Sequence, residues 1–218
     1  MLRSKTVPLF RVPARAAFLA ALLVAACVAL PALSDARERS DWMLGVGMGY
    51  GRGLFETPSG REDRYTDGAV PAIQFGRMIG QHFMVGLNYE GWMFELGGVI
   101  DDTTAVKFRR SLQTFGFSAT VFPGSTTNWT GGFYLRAAAG KGWAGSSALQ
   151  VHIDEPQHNA PRIDEWGYGA AVGAGYEFWI NPHFTSGLGF NYDFLDLDDQ
   201  IVARGRFAGL LLNLNLYF

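Results

Sequence analysis

Past Cys27 the sequence has no cysteine, so no disulfide framework can staple whatever fold follows it. Beyond Leu30 there is also no uniformly apolar window of about 20 residues, the length a helix needs to cross a bilayer, which excludes a helical membrane protein. Charge is sparse, at 17%, and leans acidic: residues 37–218 carry 14 Lys and Arg against 19 Asp and Glu, a net charge of −5. That balance argues against nucleic acid as a partner. Histidine is scarce too. A zinc centre needs three or four converging ligands, whereas His82 and His183 stand apart in turn-like segments, and His152 and His158 bracket "HIDEPQH" with Asp154 and Glu155 at no metal-binding spacing. Neither a metal nor a cofactor is expected.

What is present begins with a leader. Arg3, Lys5, Arg11 and Arg15 form a basic start, "AAFLAALLVAACVAL" (16–30) is apolar, and Pro31 opens a small-residue stretch with cleavage expected after Ser34 or Ala36. "LVAAC" resembles a lipoprotein signal with Cys27 as lipid acceptor, but the apolar run continues past Cys27 and a second cleavage pattern follows, which favours an ordinary secretory signal. The chain therefore divides into a signal, 1–36, and one domain, 37–218.

All 28 glycines fall in that domain, the whole chain is 14% aromatic, and the two residue types alternate. In "WMLGVGMGY", Trp42, Leu44, Val46, Met48 and Tyr50 fall on one face and Met43, Gly45, Gly47 and Gly49 on the other; "WGYGAAVGAGYEF" repeats the pattern from Trp166 to Phe178. A period of two is strand periodicity. It predicts eight runs, 41–51, 69–77, 83–94, 108–122, 132–142, 166–180, 184–194 and 204–218. Three connections are short and rich in turn residues ("RMIGQH", "PGSTTNWT", "NPH"), and four are longer and polar ("RGLFETPSGREDRYTDG", "ELGGVIDDTTAV", "WAGSSALQVHIDE" through Glu165, and "LDLDDQIV"). Short turns at one end and long loops at the other suit an up-and-down barrel in an outer membrane.

The faces can be oriented by volume. Were the aromatic faces turned inward, Trp42, Tyr50, Phe115, Phe117, Trp166, Tyr168, Tyr176, Phe178 and Phe190 would compete for a lumen only wide enough for close-packed side chains, and the outside would be glycine. Turned outward, the bulky residues meet hydrocarbon while sheet closure satisfies every backbone group. Tyr168 and Phe178 lie ten residues apart; at about 3.3 Å per residue and a tilt near 40° this is roughly 25 Å of height, the thickness of such a barrel's apolar band.

The closing run "LLLNLNLYF" resembles the C-terminal signature of bacterial outer-membrane β-barrels, and the mature domain resembles the small OmpA/OmpX-type barrels. The resemblance implies an all-β, eight-stranded antiparallel up-and-down transmembrane β-barrel in the Gram-negative outer membrane, exported through the periplasm, with Leu212, Leu214, Leu216 and Phe218 as the signal read by the barrel-assembly machinery. The implied partners are outer-membrane lipids, lipopolysaccharide and an unspecified ligand of the extracellular loops, chiefly 52–68 and 143–165.

By strand parity Gln74, Asn88, Glu90, Arg110, Arg136, Glu177, Asn191 and Asp193 face the lumen. Unpaired charges there would be costly, so Glu90, Arg110, Arg136, Glu177 and Asp193 are expected to form a charge network, Glu90 with Arg110 and Arg136 near Glu177. This network reads as a charge-compensated plug more readily than as a pore lining, because eight strands leave little space beyond side chains. Asp193, Asp196, Asp198 and Asp199, with Asp101, Asp102, Glu62 and Asp63, read as a solvated acidic rim or as sites for cations shared with lipopolysaccharide phosphates. Ser186 near His183 evokes a membrane-edge hydrolase, but Glu177 points to the opposite side, so no triad and no enzyme is expected. "NWT" (128–130) falls in a short turn. The leading expectation is a structural or surface-interaction role, with a narrow channel for ions or small solutes as first alternative and a lipid A-modifying enzyme as second.

Overall fold

A computed structural model describes residues 41–56, 65–80, 82–101, 104–123, 132–152, 158–159, 163–197 and 202–218. The signal segment 1–36 with Cys27, the "NWT" turn and residues Glu62, Asp63, Asp102, Asp154, Glu155, Asp198 and Asp199 lie outside them. The described strands are β1 (Trp42–Glu56), β2 (Thr66–Ile79), β3 (Phe83–Asp101), β4 (Thr104–Val121), β5 (Gly132–His152), β6 (His158–Asn159), β7 (Ile163–Trp179), β8 (Phe184–Leu197) and β9 (Arg204–Tyr217). All pairings are antiparallel, in the order β4-β3-β2-β1-β9-β8-β7-β5, and a β4–β5 ladder closes the ring. Eight long strands thus form a barrel without an edge, and the two-residue β6 pairs only with Leu149 and Gln150 at the far end of β5.

The strands outrun the predicted runs at the long-loop end. Of "ELGGVIDDTTAV", expected as a loop, residues 95–101 continue β3 and 104–106 begin β4, with Asp101 facing Thr104 and one register shift between Val99 and Asp101. "WAGSSALQVHIDE" begins as strand, and β5 runs 21 residues to His152. A tilted membrane strand needs only about 9–11 residues. Beyond the apolar band the sequence stops alternating in hydropathy while the backbone ladder continues.

Register fixes the tilt. A row of paired residues runs Trp42–Arg77–Val85–Ala119–Ala137–Val172–Tyr192–Ala208 and returns to β1 at Arg52. One circuit therefore climbs ten residues along β1, from Trp42 to Arg52. With about 3.3 Å per residue and about 4.8 Å between strands, this stagger gives a tilt of about 40°, within the usual range for closed barrels.

The burial pattern orients the faces as volume required. Trp42, Leu44, Val46, Met48 and Tyr50 are exposed on β1, Trp166 and Tyr168 on β7, and Phe190 on β8, whereas Met43 and Gly51 are buried. Glycine is needed inside where large groups cross the lumen: a Cβ on Gly53 would stand 2.5 Å from the Trp92 ring, and one on Gly68 2.6 Å from its Nε1. At the short-turn end, Gly80 takes a left-handed φ of 66°, and Asn181 Oδ1 accepts from the backbone N–H groups of His183 and Phe184, both at 2.9 Å. The two histidines tie these turns to the next strand: His82 Nδ1 lies 2.9 Å from the Phe122 carbonyl, and His183 Nδ1 3.2 Å from that of Tyr217.

Candidate functional site: a capped polar lumen

The lumen is layered. Nearest the short turns lies an apolar floor of Met43, Met78, Met84, Phe122, Tyr134, Trp179 and Tyr217. Toward the long loops lies an apolar ceiling that includes Phe55, Val70, Trp92, Leu112, Leu195, Phe207 and Leu211. Trp92 and Leu112 are fully buried there, and Phe55 meets the Trp92 ring edge-on at 6.1 Å. A belt of polar side chains is held between these two caps.

Glu177 anchors the lower part of the belt. Its carboxylate accepts from the Tyr217 hydroxyl at 3.1 and 3.0 Å, from Thr185 Oγ1 at 3.2 Å and from Asn215 Nδ2 at 3.1 Å. Asn213 Nδ2 donates to the Tyr134 hydroxyl at 3.0 Å. Higher up, Arg136 forms an ion pair with Glu90 and donates to Gln74 Oε1 at 3.1 Å, and Gln74 donates onward to Thr120 Oγ1 at 3.1 Å. Thr114 Oγ1 donates to Asp193 Oδ1 at 2.7 Å. A cavity of about 20 Å³ is lined by Gln74, Thr120, Arg136, Glu177 and Asn213 among others, which is room for about one water molecule. The Asn191 amide and one oxygen each of Glu90 and Asp193 have no protein hydrogen-bond partner.

The residues expected in the charge network thus divide. Glu90, Arg136, Glu177 and Asp193 lie in the belt. Arg110 does not stand beside Glu90: it faces Phe94 in the register, while Glu90 faces Thr114, and its guanidinium sits 5.2 Å from the Phe55 ring, at the ceiling. Glu90 pairs with Arg136 instead, across the lumen from β3 to β5. Reach across the bore, not adjacency along the sheet, decides these partners. Asp193, also read as a rim acid, is fully buried in the lumen, whereas Asp196 lies at the surface, 3.9 Å from Arg204.

Leu212 on β9 and Phe218 just beyond it are exposed, and Leu214 and Leu216 alternate with the inward Asn213, Asn215 and Tyr217. Backbone bonds between Trp42 and Phe218, 3.0 and 2.9 Å, join the first and last strands beyond the final side-chain row. Ser186, His183 and Glu177 do not converge, since Glu177 is buried in the belt and His183 is bound at a turn. Among the described residues no three His, Cys, Asp or Glu gather as a metal-binding group. The floor and ceiling were missed in the sequence reading, although inward parity carried through Trp92, Leu112, Leu195 and Phe207 would have found the ceiling.

A closed ring of eight strands, greasy outside and filled inside, defines the class: a membrane-spanning β-barrel of the small outer-membrane type. No protein-family model matches the chain and no curated protein matches it. Among solved structures it is similar to Ail, the attachment invasion locus protein of Yersinia pestis, in complex with the heparin analogue sucrose octasulfate (14% identity, 82% of this chain and 99% of that chain, TM-score 0.48). It is similar also to Neisserial surface protein A (15%, 80% and 97%, TM-score 0.46) and to OprG from Pseudomonas aeruginosa (12%, 84% and 99%, TM-score 0.40). At these identities and TM-scores the assignment rests on the pairings and burial of this chain, not on the likenesses.

Proposed function

We propose that this chain is a non-enzymatic outer-membrane protein whose lumen serves as its core and whose work is done on its outer surfaces, by the loops and by contact with lipid and lipopolysaccharide. The observation that carries this reading is the ceiling: Trp92, Leu112, Phe207 and Leu211 lie across the bore with at most 1% of their surface exposed. A passage for ions needs continuous polar lining, and a dry apolar layer of this kind opposes their entry. Placing the short turns in the periplasm and the long strands outside follows the general arrangement of such barrels. In the same reading residues 1–36 are removed during export, and Leu212, Leu214, Leu216 and Phe218 are read by the assembly machinery.

The test is planar-bilayer recording of refolded protein, preceded by heat-modifiable gel mobility and outer-membrane fractionation. Folded, fractionated protein without stable single-channel steps is the expected result. Steps abolished by Arg136→Ala or Glu177→Ala would favour a channel, and altered lipid A mass spectra on overexpression would favour an enzyme.

A further inference from the structure

The outer surface carries a groove of about 770 Å³ near the short-turn end. Its walls are Phe75, Leu87 and Phe117; its floor is low because Ala119 and Ala137 stand where neighbouring positions carry large side chains. These residues are not scattered. Arg77, Val85, Ala119 and Ala137 are successive members of one register row on β2, β3, β4 and β5. Since a circuit of such a row climbs from Trp42 to Arg52, the groove rises from Arg77 at the short-turn edge toward the middle of the apolar band. At a tilt of about 40° and about 4.8 Å between strands, the ascent from Arg77 to Ala137 is roughly 9 Å.

Arg77 is an exposed cation at the foot of this groove. Its guanidinium lies 5.8 Å from the centre of the Trp42 ring, which stacks on Phe75 at 5.2 Å. Among the described residues it meets no carboxylate. A cation on the membrane-facing side of a barrel is costly at mid-depth and tolerable at the interface, where its planar fork suits phosphate oxygens. The apolar cleft and the interfacial cation together match one amphiphile in size order and orientation, with its phosphate at the water boundary and its chain directed inward.

We propose that this groove binds one phospholipid of the periplasmic leaflet, with its phosphate on Arg77 and an acyl chain laid over Ala119 and Ala137. The proposal rests on the outer-membrane reading, which places the short-turn end in that leaflet. Recognition is through the phosphate, so phosphatidylethanolamine and phosphatidylglycerol bind alike, while a diacylglycerol of the same chains does not.

The experiment is native mass spectrometry of refolded protein titrated with these three lipids, with heat-modifiable mobility recorded for every sample. One phospholipid per barrel is expected in the wild type, with retention about ten-fold weaker in Arg77→Gln and in Ala119→Trp, intermediate in Arg77→Lys, which keeps the charge but loses the planar fork, and unchanged in Arg52→Gln at the long-loop end. Both Arg77 and Ala119 face outward, so the gel shift should persist in all variants. Equal retention by wild type and variants, or diacylglycerol held as well as the phospholipids, would overturn the site. So would a dimer lost on the same substitutions, since a second copy would then fill the groove. Absence of the gel shift in the wild type itself would instead sink the barrel reading, and the site with it.

Discussion

The hydroxyl of Tyr217 reaches both carboxylate oxygens of Glu177, spanning from the last strand to β7 across the lumen floor. Tyr217→Phe keeps the ring and removes the donor, leaving a buried carboxylate under-satisfied at a cost of about 1–3 kcal/mol. Urea unfolding of the refolded protein in lipid vesicles measures it. Tyr217→Phe combined with Glu177→Gln is expected to recover part of the loss, because the remaining group is then neutral.

Arg136 and Glu90 form the belt's cross-bore ion pair, with Glu90 fully buried. Arg136→Ala leaves that carboxylate uncompensated and is expected to destabilise by about 3–5 kcal/mol, whereas the double variant Arg136→Met with Glu90→Leu approaches wild-type stability. A double-mutant cycle from the same unfolding curves gives the coupling. A double variant no better than Arg136→Ala alone would contradict this pairing.

The ceiling makes a separate prediction about space. Gly53→Ala sets a methyl group against the Trp92 ring, where an ideal Cβ already stands 2.5 Å away, and is expected to cost about 1–3 kcal/mol by overpacking. Paired with Trp92→Ala, the same substitution is expected to cost less than the sum of the two. Trp92→Ala with Phe207→Ala thins the layer across the bore and is expected to introduce conductance steps that neither the wild type nor Tyr217→Phe displays.

Orientation of the faces is tested at Val46, outward on β1 between Trp42 and Tyr50. Val46→Arg is expected to cost about 2–4 kcal/mol, the penalty of a cation deep in the hydrocarbon of a barrel membrane, when unfolding is followed in bilayers. The same change in a water-soluble barrel would be nearly neutral.

Beyond Tyr50, at the upper edge of the band, Arg52 Nε donates to Asp67 Oδ1 at 2.7 Å. That hydrogen bond is the main reason the Asp67 carboxyl titrates below its ordinary 3.8. Because the folded value is depressed, the pair's contribution is present above the ordinary carboxylate range and fades as pH falls through the lowered value. Both side chains are solvated, so the effect on stability is small and weakened by salt. An NMR titration of the Asp67 carboxyl is expected to move back toward the ordinary value in Arg52→Gln.

Period-two hydropathy made the strands legible, and side-chain volume was enough to turn the aromatic faces outward. The ends of β3, β4 and β5 were not legible, because their sequence loses the period-two alternation while the backbone ladder runs on; Gly97, Gly98 and Asp101 then read as loop. Lumen partners were hidden for another reason. Arg136 finds Glu90 and Gln74 across the bore only once the ring has closed with a stagger of ten residues, and no local pattern encodes that stagger. Arg110 illustrates the difference: its inward parity was visible, but its level, at the ceiling beside Phe55, was not.

The two oily layers that enclose the polar belt give this protein an interior complete in itself. Its cohesion is then set mainly from within, and the amphiphile coating the exterior becomes exchangeable: transfer from bilayer to micelle to amphipathic polymer is expected to preserve near-ultraviolet circular dichroism, with only the occupant of the Arg77 groove changing hands.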